Sequence, residues 1–403
     1  MIETPFTLPC GTTLKNRVIK AAMTERLCRS DHLPFAPHFK LYDHWASTGS
    51  AALLTGNILV DKRYLESTGN VVVEKGTDKK PFQTWAETVT KQDCHLWAQI
   101  SHAGRQSSKF STRKPVSASD VQLKKMGLFA KPVPLNDSGI EDVIQRFVYT
   151  ATFCRECGFT GVQFHAAHGY LLSQFLSPKT NRRTDKWGGV LENRARILFE
   201  IVEQTRKALG PDYPISVKLN SADFQRGGFD ETDSLRVIQS LEKRGVDLLE
   251  ISGGTYERSA MMGIGMKEST KSREAYFLDF ARDIRKHISV PLMVTGGFRS
   301  LMVSERALSD DALDFIGYAR PYLMDERFPQ GFLDGTMDHI DEPTIKVMDP
   351  NNADAAAAGY YDLQIKRLAH GQPLKHDYSA LRLAMHIPAG EMRKGIRNWV
   401  LRR

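Results

Sequence analysis

Residues 215–251 read ISVKLNSADFQRGGFDETDSLRVIQSLEKRGVDLLEI and carry a clear signal of the fold class. It begins with a short β-rich run, Ile215–Leu219, and ends with another, Leu248–Ile251. Between them, Thr232–Arg244 has the amphipathic spacing of a helix, with polar capping residues before it and Gly245 after it. The stretch therefore predicts one complete unit of strand, helix and strand.

The same alternation runs along the rest of the chain. Six further β-rich runs occur, at Arg17–Ala21, Ala51–Leu54, His95–Ile100, Gly161–Phe164, Leu292–Thr295 and Phe315–Gly317. The other helical patterns lie at His38–Ser47, Phe82–Gln92, Ile140–Cys157, Glu192–Leu209, Ala275–His287 and Leu301–Leu308. Eight strands with intervening helices predict an α/β fold, a (β/α)8 TIM barrel.

A doubly wound parallel sheet is the main alternative to the barrel. Such a sheet normally carries a G-x-G-x-x-G turn after its first strand. The sequence contains no such turn, since Gly263-Ile264-Gly265 lacks the third glycine and follows no predicted strand. The barrel is therefore the favoured architecture.

Three segments lie outside the regular alternation. Residues 101–139 form a long insertion after the third strand, which we expect to make a lid or a small hairpin. Residues 253–274 form a loop rich in glycine and methionine after the sixth strand. We expect the barrel to occupy residues 1–340, and residues 341–403 to form a helical tail that packs on the barrel or on a partner subunit of a homo-oligomer.

Composition narrows the classes of protein to which the chain can belong. Its 403 residues include 55 Lys and Arg against 47 Asp and Glu, but the basic residues are interleaved with acidic ones, so we expect no nucleic-acid partner. Five widely spaced cysteines form no disulfide framework, and the N-terminus has no signal-peptide pattern. The apolar runs are too short to cross a bilayer. These features predict a cytoplasmic protein with no membrane attachment.

Every predicted strand is followed by a hydrogen-bonding residue or a glycine. Active sites of (β/α)8 barrels lie at this end of the strands, where the loops to the helices begin. Eight purely structural turns would rarely all carry such residues. We call the residues at and just after the carboxyl end of a strand its strand exit. In chain order, the strand exits carry Thr24, Asn57, Gln99, His165 with His168, Lys218, Ser252-Gly253-Gly254, Gly296-Gly297, and Gly317 through Ala319 to Arg320.

The last two exits form the standard phosphate position of this fold. Gly296 and Gly297 let one loop approach an anion with its backbone N–H groups, and Gly317 does the same on the next loop. Arg320 supplies a guanidinium for the negative charge. Glycines also make ordinary tight turns, but their occurrence on both loops together with the arginine favours phosphate binding.

The densest chemistry lies in the run from His165 through His168 to Tyr170. Two histidines three residues apart at a strand end can direct their N–H groups at one carbonyl or anionic oxygen. Tyr170 can donate a proton, because a phenol with a pKa of about 10 stays protonated at neutral pH. The alternatives are a zinc site, for which no third ligand of fitting spacing occurs, and residues that only pack in the core.

Other polar residues carry weaker signals. Gln99 can pair with an imide edge, because its amide has both a donor and an acceptor, although it could equally bridge two loops. Lys218 places a cation in the mouth of the barrel, so we expect an anionic partner there, and a structural ion pair is the alternative interpretation. Cys154 and Cys157 form a C-x-x-C pattern without a second pair, which favours two half-buried thiols over a metal or redox site.

These residues belong to longer motifs that resemble the Old Yellow Enzyme family of FMN-dependent oxidoreductases. The resemblance covers about residues 1–335, and its most specific part is the block from His165 to Asn193. The matching motifs are Asn16-Arg17-Val18, Gln99 through Arg105, His165 through Tyr170, Phe175 through Pro178, Asn181 through Asp185, Gly188-Gly189, Glu192-Asn193-Arg194, Thr295 through Phe298 and Ile316 through Pro321.

The resemblance implies FMN held without a covalent bond. Thr24 and the backbone near Asn57 would face the O4 edge of the flavin. Gln99 would pair with N3 and O2, and Lys218 would lie near N1 and O2. Gly297 and Arg320, with the neighbouring backbone, would hold the phosphate. The other cofactor residues would be Gly253, Gly296, Gly317 and Ala319.

The resemblance also implies a reaction in two halves. NADH or NADPH transfers hydride to flavin N5 and leaves, and an activated alkene then takes its place. His165 and His168 would bind the carbonyl or nitro oxygen, and Tyr170 would protonate the α-carbon. The alternatives are another flavin oxidoreductase on this scaffold, such as a dienoyl-type reductase or a demethylase-like enzyme, and a non-catalytic flavin-binding barrel.

The sequence departs from the family pattern at three places. Thr24 stands where one branch has cysteine, and Lys218 replaces the arginine of many relatives. The loop from Gly253 to Arg258 resembles the larger dienoyl-CoA-reductase-like members, which carry an iron–sulfur cysteine cluster after this region. The chain has no cysteine beyond Cys157, so we expect neither an iron–sulfur centre nor a second flavin domain.

Overall fold

Eight parallel strands close into a barrel in the computed structural model, which describes residues 1–125, 127–257, 277–349 and 353–401. In chain order these strands are β1 (Val18–Lys20), β2 (Ala52–Leu54), β3 (His95–Ser101), β4 (Gly161–Ala166), β5 (Ile215–Asn220), β6 (Leu248–Ser252), β7 (Leu292–Thr295) and β8 (Phe315–Tyr318). Each strand pairs with the next, and β8 pairs with β1. The predicted barrel and its eight strands are confirmed.

The strands are buried on both faces, because the barrel interior lies on one side and the helices on the other. All six residues of β4 and all six of β5 are buried. Parallel strands in such surroundings usually have continuous apolar runs. In this barrel β4 and β5 also carry buried polar residues, among them Gln163 and Lys218, which hydrogen-bond inside the barrel.

Helices cover the outside of the barrel, and each predicted helix overlaps an observed one. In the described residues they are α1 (Ala36–Ser47), α2 (Lys80–Thr90), α3 (Asp137–Glu156), α4 (Leu171–Leu176), α5 (Leu191–Leu209), α6 (Glu231–Glu242), α7 (Leu278–Arg285), α8 (Leu301–Ser309), α9 (Gln330–Leu333), α10 (Ala353–Ala369) and α11 (Ala380–Leu401). The Asp230 carboxylate caps α6 by accepting a hydrogen bond from the Asp233 backbone N–H at 2.9 Å. The first two residues of the predicted helix 275–287 lie outside the described residues.

A short hairpin closes the barrel at the amino ends of its strands. Phe6–Thr7 pairs antiparallel with Thr13–Leu14, and the sequence analysis did not predict this pair. Leu14 packs in one buried cluster with Trp97 of β3 and Phe315 of β8. The hairpin thus closes the end of the barrel opposite to the strand exits.

The two short strands of the insertion after β3 do not form a hairpin with each other, although a single antiparallel bridge joins Ser108 and Phe129. The two strands, Val116–Ser117 and Val133–Pro134, pair in parallel, so the chain must return to its starting end between them. The expectation of a small hairpin was wrong because parallel pairing over so few residues leaves no periodic signal in the sequence. In the loop after β6, residues 258–274 lie outside the described residues.

The tail packs on the barrel of its own chain. The helix α10 contacts α1 and the turn Arg320–Leu323, and α11 packs along α10. A division between barrel and tail at residue 340 remains a prediction. None of the helices in the described part of the chain combines the length and the apolar composition that a bilayer crossing requires.

Gly359→Ala should separate α10 from α11 and lower the melting temperature, because a Cβ at Gly359 would overlap the backbone carbonyl of Leu383. Overpacking of this kind costs about 1–3 kcal/mol. Gly390→Ala in α11 is the matched control, since nothing lies within 4 Å of its Cβ position. Alanine at Gly390 should leave stability unchanged or raise it. Thermal unfolding measured by circular dichroism tests this, and equal melting temperatures for the two variants would contradict the close packing.

Candidate active site

A cavity of about 480 Å³ lies at the carboxyl ends of the strands. Its wall comes from the strand exits, from the insertion after β3 and from the tail. The insertion contributes Lys125, Leu128 and Phe129. The helix α10 contributes Asp354, Ala355, Ala358, Tyr361, Asp362 and Ile365. The tail is thus part of the site, which no feature of the sequence predicted.

Most of the predicted site residues line this cavity, and the others lie behind its wall. Those on the wall are Thr24, His168, Tyr170, Lys218, Gly296, Gly297, Gly317, Ala319 and Arg320. Asn57, Gln99 and His165 are buried behind it, each hydrogen-bonded to neighbouring side chains. A Cβ on Gly253 would lie 2.7 Å from the ring of Phe277, so this glycine is required by packing.

The loops after β7 and β8 need their glycines. Gly296 and Gly297 have φ values of +131° and +86°, which L side chains rarely adopt. A Cβ on Gly317 would overlap the hydroxyl of Thr295. That hydroxyl is buried and has no hydrogen-bond partner in the described structure. Together with the guanidinium of Arg320 on the same cavity wall, these features fit the phosphate of a bound nucleotide.

A charged network lies inside the barrel beside the cavity. Lys218 on β5 pairs with Glu250 on β6 at 2.7 Å, and Glu250 is fully buried. Glu250 also accepts a hydrogen bond from the Gln163 amide at 2.9 Å, and Gln163 accepts one from the Gln99 amide at 2.7 Å. Lys218 therefore has an anionic partner, as expected, and this partner is a protein carboxylate, which is the structural ion pair that the sequence left open. The pairing keeps a cation at a fixed place on the cavity wall.

His165 and His168 are neutral. Burial lowers the pKa of His165 well below its usual value, and the neighbouring His168 and Lys218 act in the same sense. Burial likewise lowers the pKa of His168, and the Lys218 cation lowers it further. At neutral pH each ring therefore carries one N–H donor and one acceptor nitrogen.

The two rings hydrogen-bond to each other rather than to a common point in the cavity. His165 Nδ1 lies 2.9 Å from Asn57 Oδ1, and its Nε2 lies 3.1 Å from Nδ1 of His168. His168 Nε2 lies 2.8 Å from the hydroxyl oxygen of Ser252. Because the Asn57 oxygen can only accept, His165 donates from Nδ1. His168 then donates to His165, and the Ser252 hydroxyl donates to His168.

Tyr170 lies beside this pair as a protonated phenol. Its ring centroid is 4.7 Å from that of His165. Burial raises the pKa of Tyr170 well above its usual value, and the nearby Glu66 carboxylate raises it further. The hydroxyl oxygen of Tyr170 lies 2.9 Å from that of Tyr256, a residue that the sequence analysis did not identify. The site therefore holds a proton donor next to two neutral imidazoles.

Glu66 is a second residue that the sequence analysis missed. Its carboxylate accepts hydrogen bonds from the Thr24 hydroxyl at 3.0 Å and from the Asn57 amide at 2.7 Å. It also lies 3.9 Å from the guanidinium of Arg26. Glu66 stands in the segment after β2, which carries no motif around it. Asn57 lies in the same segment, but Thr24 and Arg26 follow β1. No local signal in the sequence could therefore have identified it.

Arg26 connects the site to the tail. Its guanidinium lies 3.6 Å from Asp362 of α10, which also pairs with Lys366 at 2.6 Å and His386 at 2.7 Å. Burial opposes ionisation of Asp362, but the His386 hydrogen bond and the charges of Arg26 and Lys366 lower its pKa to about 2. The ion pair between this carboxylate and Arg26 holds α10 at the edge of the cavity.

The two cysteines of the C-x-x-C pattern are not reactive thiolates. Burial raises the pKa of Cys154 well above its usual value and that of Cys157 to about 11, so both thiols are protonated. In residues 1–125, 127–257, 277–349 and 353–401, no three His, Cys, Asp or Glu side chains lie close enough to hold a metal ion.

One protein family matches most of this chain. The model of the NADH:flavin oxidoreductase / NADH oxidase family matches residues 2–338. The NADH-dependent flavin oxidoreductase iliE of Hypocrea jecorina is 34% identical over 81% of this chain and 87% of its own length. The iliE protein of Neonectria sp. is 36% identical over 81% of this chain and 46% of its own length, so the chain spans about half of that relative.

Solved structures show the same barrel. Morphinone reductase superposes with a TM-score of 0.72 at 22% identity, over 87% of this chain and 92% of its own. An Old Yellow Enzyme homologue from Zymomonas mobilis gives 0.71 at 20% identity, over 85% and 94%. With the family match over most of the chain, and a phosphate cradle that fits the cofactor, the chain belongs to the NADH:flavin oxidoreductase / NADH oxidase family of Old Yellow Enzymes and is an NAD(P)H-dependent flavin oxidoreductase with non-covalent FMN.

Proposed function

We propose that this protein reduces activated C=C bonds, in α,β-unsaturated carbonyl or nitro compounds, with NADH or NADPH as the reductant. The observation that supports the proposal best is the protonated phenol of Tyr170 beside the neutral rings of His165 and His168. FMN, when bound, supplies the hydride for the β-carbon of the alkene. A barrel that only bound flavin would need no buried proton donor at this place.

The proposed cofactor residues divide between the two ends of FMN. The phosphate would be held by Gly296, Gly297, Gly317, Ala319 and Arg320. Thr24 and Lys218 lie on the cavity wall and would face the ring system, where Lys218 stabilises negative charge. Asn57 and Gln99 would act from behind the wall, and Gly253 would contribute only its backbone.

His165 and His168 would bind the oxygen of the substrate. In the structure the ring nitrogens of both histidines are hydrogen-bonded to protein groups. Substrate binding therefore requires that one of these hydrogen bonds be replaced by a hydrogen bond to the substrate. His168 is the ring on the cavity wall and is therefore the one that would make this exchange. Donation to the oxygen is strongest when negative charge develops there, which lowers the barrier for attack at the β-carbon.

Tyr170 would protonate the α-carbon. Its raised pKa keeps the proton on the phenol until the carbon becomes basic enough to take it. Its place against the His165 ring keeps the hydroxyl close to a substrate whose oxygen is bound by the histidines. The two groups therefore act on adjacent parts of one conjugated system.

Anaerobic mixing with NADH or NADPH should bleach the flavin absorbance, and cyclohexenone should then restore it, because the alkene accepts the hydride and the Tyr170 proton. Stopped-flow spectroscopy at the flavin maximum follows both steps. Bleaching without recovery would favour a different oxidoreductase chemistry on this scaffold. Absence of bleaching would favour a barrel that binds flavin without catalysis.

Tyr170→Phe should slow the recovery with cyclohexenone by about 100-fold and leave the bleaching unchanged, because phenylalanine keeps the ring but has no proton to give. Tyr149→Phe, on the outer helix α3, is the matched control and should behave as the wild type in both steps. The two rates are measured by the same stopped-flow experiment. Equal losses in bleaching and recovery would refute the assignment of Tyr170.

Arg320→Ala should weaken FMN binding by about 10- to 160-fold, because a hydrogen bond to a charged group contributes about 1.5–3 kcal/mol. Arg306→Ala is the control, since Arg306 is 76% exposed on α8 and pairs only loosely with Asp310 at 3.7 Å. Calorimetric titration of the apoprotein with FMN measures both affinities. Unchanged affinity in Arg320→Ala would place the phosphate elsewhere.

A further inference from the structure

A second phenol, Tyr256, lies against Tyr170. Its hydroxyl oxygen is 2.9 Å from that of Tyr170, and the two rings meet edge to face at 5.9 Å. A parallel bridge between His168 and Thr255 pairs the two chain segments next to these tyrosines. Tyr170 is buried, whereas Tyr256 is half-buried on the cavity wall. Both phenols thus line the cavity, and Tyr256 is the more exposed of the two.

The insertion after β3 holds Tyr256 in this position. Lys125 Nζ donates a hydrogen bond to its carbonyl oxygen at 3.0 Å, and the ring of Phe129 packs against its ring at 6.2 Å. Lys125 also lies 3.6 Å from Asp354 of α10. Barrel, insertion and tail therefore fix the position of one hydroxyl group that the proposed reaction has not yet used.

The charges around the two phenols differ. Burial, the Glu66 carboxylate and the hydrogen bond to Tyr256 all raise the pKa of Tyr170. Burial and Glu66 also raise the pKa of Tyr256, but the hydrogen bond to Tyr170 and the charge of Arg26 act in the opposite sense. Once one proton has left the two phenols, the remaining negative charge is therefore more stable on Tyr256 than on Tyr170.

We propose that Tyr256 is a positioning residue that returns a proton to Tyr170 while Tyr170 protonates the substrate, a proposal that rests on the proposed function. The O–H bond of Tyr170 breaks as a C–H bond forms at the α-carbon, and the electron pair stays on the Tyr170 oxygen. In the same step the O–H bond of Tyr256 breaks, and its proton forms the new O–H bond of Tyr170. Water in the cavity then protonates the Tyr256 oxygen and leaves as hydroxide.

Tyr256→Phe removes only the hydroxyl and keeps the ring that packs against Phe129. We expect recovery of the flavin absorbance with cyclohexenone to slow about tenfold, and bleaching by NADH to be unchanged. In mixtures of H2O and D2O the wild-type recovery rate should follow a curve against the deuterium fraction, because two protons move in one step. The variant should give a straight line, and its FMN affinity and melting temperature should match the wild type.

The double variant Tyr170→Phe/Tyr256→Phe tests whether Tyr256 acts through Tyr170. If it does, the double variant should recover as slowly as Tyr170→Phe alone, because the Tyr256 hydroxyl has no function once residue 170 can no longer accept its proton. Tyr149→Phe is again the control and should keep both the wild-type rate and the curved isotope dependence.

A Tyr256→Phe variant with the wild-type rate and a curved dependence would overturn the proposal. Losses that multiply in the double variant would also overturn it, as would a fall in melting temperature or FMN affinity large enough to explain the slower recovery. If the wild type itself does not recover with cyclohexenone, the proposed function fails and the relay fails with it. The other outcomes refute the relay alone.

Discussion

In a closed ring of parallel strands all carboxyl ends lie at one rim. The ring closes where β8 pairs with β1, in a register that sets Tyr318 beside Lys20. Through this pairing Thr24, which follows the first strand, and Arg320, which follows the last, line the same cavity. An open sheet would leave these two exits at opposite edges, far apart. The site therefore depends on hydrogen bonds between two strands that lie almost 300 residues apart in the chain.

Around the cavity, charges of opposite sign stand next to each other. Lys218 pairs with Glu250, while Arg26 lies between Glu66 and Asp362. Burying such groups is costly, but once paired they keep a fixed position and act in surroundings that screen them weakly. Burial keeps the two histidines neutral and the phenol of Tyr170 protonated, and the Lys218 and Glu66 charges act in the same sense. The protonation states of the site thus follow from burial and charge together.

The tail shapes the site from outside the barrel. Glu391 of α11 accepts hydrogen bonds from the Ser67 hydroxyl and the Thr68 backbone N–H. Lys394 donates to the carbonyl oxygen of Arg26 at 2.8 Å. The loops that carry Arg26 and Glu66 are thus held by α11, while α10 covers the cavity. These helices lie beyond residue 338, where the family match ends.

Local patterns in the sequence were enough to predict the barrel, its strand exits and the group of His165, His168 and Tyr170. Strand runs, helical spacing and caps such as Asp230 are local, because each reflects the conformation and burial of a few consecutive residues. The folded chain was needed to show that Glu66 and Tyr256 lie near Tyr170, that the two histidines hydrogen-bond to each other, and that the tail lines the cavity. These contacts join segments far apart in the chain, and no local pattern specifies which distant side chains the closed ring will bring together.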